Sequence, residues 1–239
     1  LGPSPKAIEA IRETASSVHH YPKSVHTDLT EAIADRWSVD PAQIWLGPGG
    51  DGALDYLARA MLEPDDRVLV PDPGFAYYEM SARFHHGRVD RYDVSEDLAT
   101  LHTESVFDAY DGQRIVYLTS PHNPTGGRYT VQEIRDIAER TGAETLVIVD
   151  EAYEEFADGE SARSLLDKRD DVAILRTFSK AYGLAGLRLG YAIVPDSWAD
   201  AYARVTTPFS VSTVACRAGT AALEDAEHLE RTRETVAWA

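Results

Sequence analysis

Three short runs constrain the fold of this chain more than any other feature: RIVYLTS (114–120), TLVIVD (145–150) and VAILRTFS (172–179). Each is apolar at nearly every position until a polar residue appears at its C-terminal end. A strand with one wet face alternates, whereas a strand covered on both faces reads as an almost unbroken apolar run, the mark of a central strand in a parallel sheet. The β-branched runs RVLVP and LRLGYAIV flank these three, and helical patterns such as YTVQEIRDIAERTG separate them. Strands that alternate with helices predict an α/β fold with a mostly parallel central sheet. In such sheets ligands bind beyond the carboxyl ends of the strands, so the residues that stop each run are the ones to inspect.

At 239 residues with 44% hydrophobic content, the chain can bury one large core, or one core and a small satellite. No stretch approaches the roughly 18 apolar residues of a membrane-spanning helix, and LGPSPKAIEA lacks the basic and apolar blocks of a signal peptide. A soluble, cytoplasmic protein is expected. Cys216 is the single cysteine, which excludes a disulfide within one chain and cysteine-based metal sites, and fits a reducing compartment. The formal charge of −17 repels nucleic-acid phosphates and anionic membrane faces, so neither is expected as a partner. The acidic, lysine-poor composition suggests a halophilic protein from a high-salt cytoplasm.

Along the chain, Ser4-Pro5 before KAIEAIRETA reads as an N-cap and a first-turn proline opening an amphipathic helix, and LTEAIADRW repeats the helical spacing. The expected organisation is a helical segment over 1–40, a large α/β domain over 41–207, and over 208–239 the helical start of a smaller domain that continues beyond Ala239. The absence of an initial methionine suggests that further residues precede Leu1.

The strand ends supply Ser120-Pro121-His122-Asn123-Pro124-Thr125-Gly126, then Asp150-Glu151-Ala152-Tyr153, then Ser179-Lys180. Taken singly, NPTG is a turn sequence, Asp150 a possible cap and Lys180 a solvated charge. Together they match a chemistry: a lysine to form a Schiff base with an aldehyde cofactor, an acid to keep a pyridine nitrogen protonated, and donors to a phenolate oxygen are what pyridoxal phosphate requires. The cofactor's phosphate has a candidate home in LGPGGDGALDYLARAM, where four glycines surround Asp51 at the start of a helical pattern, since N–H groups at a helix N-terminus favour an anion. This loop is neither a P-loop nor a dinucleotide fingerprint.

SPHNPTG, VIVDEAY and SKAYGLAGLRLGY, in that order, resemble the signature segments of fold-type I, pyridoxal phosphate-dependent aminotransferases of class I/II, and the last is most similar to that of histidinol-phosphate aminotransferases. The resemblance runs from about Pro3 to Ala215 and implies the three-layer α/β/α PLP-transferase fold. It implies that Lys180 holds the cofactor covalently and moves the proton at the substrate Cα, that Asp150 pairs with the pyridine nitrogen, and that Asn123 and Tyr153 contact the phenolic oxygen. Gly50, Asp51, Thr177, Ser179 and Arg188 would hold the phosphate, Arg188 by the two-pronged contact that lysine cannot make. Phe75 takes the place of an aromatic that stacks on the ring. Tyr21, in YPK, matches a tyrosine that reaches the phosphate of a second subunit, so a homodimer with shared sites is implied.

The activity implied is transamination between histidinol phosphate and 2-oxoglutarate, giving imidazole acetol phosphate and glutamate, in histidine biosynthesis. Other enzymes of the fold, an aromatic aminotransferase or a threonine-phosphate decarboxylase, are the alternatives, as is an inactive cofactor-binding paralogue. Where family members commonly carry G-N-G-S-D-E, this chain has Gly47-Pro48-Gly49-Gly50-Asp51-Gly52. His19-His20 and His85-His86 lack acidic partners at ligand spacing, so no metal is expected. Tyr77, Tyr78 and Tyr182 are expected to be packing residues, and His122 a neutral neighbour of the Asn123 turn.

Overall fold

A computed structural model describes residues 2–23, 27–94 and 100–238. The helices are α1 (Pro5–Thr14), α2 (Asp28–Trp37), α3 (Gly49–Met61), α4 (Tyr77–Phe84), α5 (Thr103–Ala109), α6 (Val131–Thr141), α7 (Tyr202–Val205), α8 (Thr213–Leu223) and α9 (Ala226–Trp238). The strands are β1 (Ile44–Pro48), β2 (Arg67–Asp72), β3 (Arg88–Asp93), β4 (Ile115–Thr119), β5 (Leu146–Asp150), β6 (Val172–Thr177) and β7 (Leu189–Ile193).

Local chemistry sets the helix boundaries. Ser4 Oγ accepts from the Ala7 N–H at 3.0 Å with Pro5 in the first turn of α1, and a reciprocal Thr130–Glu133 capping box opens α6 before Gly142, at φ 76°, ends it. The helical C-terminal segment consists of two helices: α8 stops at Leu223, and Asp225 Oδ1 accepts from the His228 N–H as α9 begins.

The seven strands form one sheet in the order β1-β7-β6-β5-β4-β2-β3. Every pairing is parallel except the two made by β7. Only residues 178–188 join β6 to β7, too few for the crossover that a parallel partner needs, so β7 returns antiparallel. β3, RVDRYD, escapes sequence reading because it is an edge strand in which only Tyr92 is buried.

Alternation along β4 and β5 splits the core in two. Val116, Leu118, Val147 and Val149 join a cluster with residues of α1, α2, α6 and α8, while Ile115, Tyr117, Leu146 and Ile148 join one built on α3, α4 and α7. Both faces are covered, which is why these strands carry no polar alternation. The terminal helices complete the first layer: Ala215 and Ala218 of α8 share its core with Ala7 and Leu29, Lys6 Nζ donates to the Glu224 carbonyl at 2.8 Å, and His228 Nε2 lies 3.1 Å from the Gly2 carbonyl. No helix among the described residues is long and apolar enough to cross a membrane.

Candidate active site

Because β1, β2, β4, β5 and β6 run the same way, their C-terminal ends line one edge of the sheet. Register sets Thr119 beside Asp150, Asp150 beside Leu175, and Thr177 beside Gly190 of β7. Asp150 falls on the side of the sheet that holds α3 and α4. Its neighbour Glu151 points the other way, so the acidic pair divides into two roles. A cavity of about 270 Å³ opens at this edge.

Its walls bring together ten of the eleven residues singled out in the sequence: Gly50 and Asp51 from the start of α3, Phe75 from the turn before α4, Asn123 from the turn after β4, Asp150 and Tyr153 from the end of β5, and Thr177, Ser179, Lys180 and Arg188 from β6 and the loop to β7. Tyr21 is not among them. It is 83% exposed and its ring lies 5.0 Å from that of Phe209.

Asp150 is the buried charge of the cavity. Its Oδ2 accepts from the Tyr78 hydroxyl at 2.7 Å and its Oδ1 from the Ala152 N–H at 3.0 Å. Burial pushes its pKa up to about 6 and the adjacent Glu151 adds to the rise, while the two hydrogen bonds and the Lys180 ammonium oppose it. Lys180 is exposed at the mouth, with Nζ 5.2 Å from the centre of the Tyr153 ring, and Asn123 Nδ2 donates to the Tyr153 hydroxyl at 3.1 Å.

At the opposite wall α3 starts without a side-chain cap, since Pro48 occupies that position, so its first-turn N–H groups are available to an anion. Arg188 Nη2 reaches Asp51 Oδ2 at 2.7 Å across this N-terminus, and Thr177 Oγ1 accepts from the Ser179 N–H at 3.1 Å. Two glycines make the approach possible. Gly49 sits at φ 85° with the Arg188 guanidinium where a Cβ would project, and a Cβ on Gly190 would collide with the backbone of Gly49 and Gly50. An anion socket beside a buried carboxylate and a reachable primary amine, around a ring-sized space, fits pyridoxal phosphate.

Tyr78, expected from the sequence to be a packing residue, lines the cavity with its hydroxyl on Asp150, and so does Thr119, which sequence reasoning left out, line the cavity. Thr119 was within reach as a polar residue closing a central run, but FAYYEM offers no means of choosing Tyr78 over Tyr77. His122 is a strut: Nε2 bonds the Pro73 carbonyl and Nδ1 the Thr125 hydroxyl, both at 2.9 Å, tying the turn after β2 to the Asn123 turn, and burial lowers its pKa.

Behind the site, Glu151 accepts from Arg176 Nη1 at 2.7 Å and from the Ala162 N–H at 2.8 Å, and Glu155 accepts from Arg176 Nη2 at 2.5 Å. The Arg176 guanidinium lies 4.7 Å over the Trp37 ring. Glu154 pairs with Arg128 at 2.5 Å, and burial beside Glu151 pushes its pKa up to about 7. These pairs fix the turn that carries Tyr153.

The profile of the family described as aminotransferase class I and II matches residues 1–238. The chain is 65% identical over 240 residues to a histidinol-phosphate aminotransferase of Natronomonas pharaonis, covering 100% of this chain and 68% of that protein. It is 63% identical over 247 residues to one of Halobacterium salinarum, covering 99% and 68%. A crystal structure of histidinol-phosphate aminotransferase from Sinorhizobium meliloti in complex with pyridoxal-5'-phosphate superimposes with a TM-score of 0.91 at 30% identity, over 99% of this chain and 65% of that one. The chain thus spans about two thirds of the length of these relatives. With the match to the family profile and the identities to these proteins, the chain belongs to the class I and II aminotransferases.

Proposed function

We propose that the protein is a pyridoxal phosphate-dependent transaminase that exchanges the amino group of histidinol phosphate with 2-oxoglutarate, yielding imidazole acetol phosphate and glutamate. The observation that carries the reading is the convergence of Lys180, Asp150 and the uncapped start of α3 with Arg188 around one cavity. The substrate pair rests on the likeness to the archaeal histidinol-phosphate aminotransferases.

When bound, the cofactor supplies an aldehyde for amino groups and a pyridine ring that takes up negative charge. Lys180 Nζ would be the attachment point and the base that takes the proton from the substrate Cα and delivers it to the cofactor's aldehyde carbon, the shift that moves the amino group from substrate to cofactor. Asp150, ionised in a buried setting, holds a proton on the pyridine nitrogen through a charge-assisted hydrogen bond. Asn123 and Tyr153 orient the phenolic oxygen, and Phe75 covers the ring. The first N–H groups of α3, with Thr177, Ser179 and Arg188, hold the phosphate, Arg188 exchanging its ion pair with Asp51 for contact with the ligand.

A cytoplasmic homodimer follows from the same reading, with Tyr21 of each subunit serving the other's site. Its 83% exposure and its absence from the walls of this chain's own cavity support that placement.

The test is an absorption spectrum of the full-length protein loaded with pyridoxal phosphate, recorded as glutamate and then histidinol phosphate are added. Both donors should bleach the visible band, and 2-oxoglutarate should restore it. A band that responds to aromatic amino acids alone, or release of carbon dioxide from threonine phosphate, would assign the protein to another activity of the fold; a band unmoved by every donor would mark an inactive binder.

A further inference from the structure

Asp150 owes its position to two side chains that the reaction itself does not require. Tyr78, on α4, is fully enclosed, its ring stacked on that of Tyr117 with centroids 4.6 Å apart and an interplanar angle of 14°, and the Phe75 ring meets it edge-on at 5.6 Å. Its hydroxyl lies 2.7 Å from Asp150 Oδ2 and 2.9 Å from Thr119 Oγ1. A phenol has one proton to give, and an ionised carboxylate only accepts, so the Tyr78 proton goes to Asp150 and the Thr119 hydroxyl must donate to the Tyr78 oxygen. The contacts form a one-way chain, Thr119 to Tyr78 to Asp150, in which each bond polarises the next.

The geometry points to Tyr78 and Thr119 as a donor relay that orients the Asp150 carboxylate and holds it ionised against its burial, so that it meets the cofactor's ring nitrogen as an anion. This rests on the proposed role of Asp150. The charged and titratable groups around the carboxylate come from every side: Tyr78 from α4, Glu151 from the first position beyond β5 and Lys180 from the loop after β6. Glu151 disfavours the anion and Lys180 favours it, but neither touches it. Besides the relay, the hydrogen bond to the carboxylate is the Ala152 N–H, which belongs to the turn. Burial holds the Tyr78 phenol well above the ordinary tyrosine range, and the Asp150 charge adds to this, so the relay keeps its proton at all working pH values.

The full-length protein is titrated without cofactor, reading the Asp150 carboxyl band by infrared difference against Asp150→Asn, for wild type, Tyr78→Phe, Thr119→Val and Thr119→Ser. Loss of a donor to the charged form raises a carboxyl pKa. Tyr78→Phe should raise the midpoint by about one pH unit, a tenfold gain in proton affinity. Thr119→Val should raise it by less, and Thr119→Ser should titrate as wild type does. With nitrogen-15-labelled pyridoxal phosphate bound, the ring-nitrogen shift should move toward the unprotonated value in the same order. A purely structural Tyr78 would leave both readouts at the wild-type values. Midpoints unchanged in both Tyr78→Phe and Thr119→Val overturn the relay even if cofactor binds, and Thr119→Val alone decides the matter should Tyr78→Phe not fold. Wild-type protein that takes up no cofactor, while its midpoints shift as expected, sinks the role given to the site and leaves the relay standing.

Discussion

Asp150 binds its proton more tightly in the folded chain than in the unfolded one, because burial raises its pKa from 3.8 to about 6. A group raised in this way contributes stability that is complete below about pH 4 and lost as the pH climbs to about 6. At 1.36 kcal/mol per pH unit, the loss comes to about 3 kcal/mol in the cofactor-free protein. Denaturant midpoints measured from pH 4 to pH 7 should fall more steeply for wild type than for Asp150→Asn, and equal slopes would contradict the burial cost. The pyridinium partner proposed for Asp150 removes that cost, so binding the cofactor should stabilise the protein more at pH 7 than at pH 5, read as the shift in thermal midpoint at a saturating ligand concentration.

At the scale of elements, the acid-amide-lysine constellation was legible because parallel strands deliver their C-terminal residues to one edge, and unbroken apolar runs say which strands those are. Thr119 and Asp150 are register partners on neighbouring strands, whereas Tyr78 enters from a helix far away in sequence, and only packing brings it there. The antiparallel β7 and the polar edge strand β3 were obscure for related reasons: strand direction depends on the length of the 178–188 connection, and edge strands need no apolar run. The family resemblance picked Asp150 over its neighbour Glu151, and the pleat gives the physical reason: it divides the two acids between the cavity and the Arg176 cluster. Arg176→Ala leaves Glu151 and Glu155 as uncompensated buried charges and should cost roughly 3–5 kcal/mol in denaturant unfolding. Gly190→Ala forces β7 away from the start of α3 and should cost about 1–3 kcal/mol with weaker cofactor binding in a spectroscopic titration.

Over the whole molecule, α3 and α4 cover the face that holds the site, and the terminal helices close the other, so the cavity is set on a rigid sheet with both faces packed. Forty acidic residues against 23 basic ones make the surface self-repelling. Raising potassium chloride from about 0.1 M to about 1 M shortens the screening length from about 10 Å to about 3 Å and should raise the thermal midpoint. A midpoint that falls or stays level would separate the acidic composition from any need for salt. The measurement that bears most directly on the site is borohydride reduction of the pyridoxal phosphate-treated protein followed by peptide mapping. The account predicts a cofactor label fixed on the peptide that carries Lys180 and absent from Lys180→Ala; a label on Lys6, Lys23 or Lys168 instead, or none at all, would contradict it.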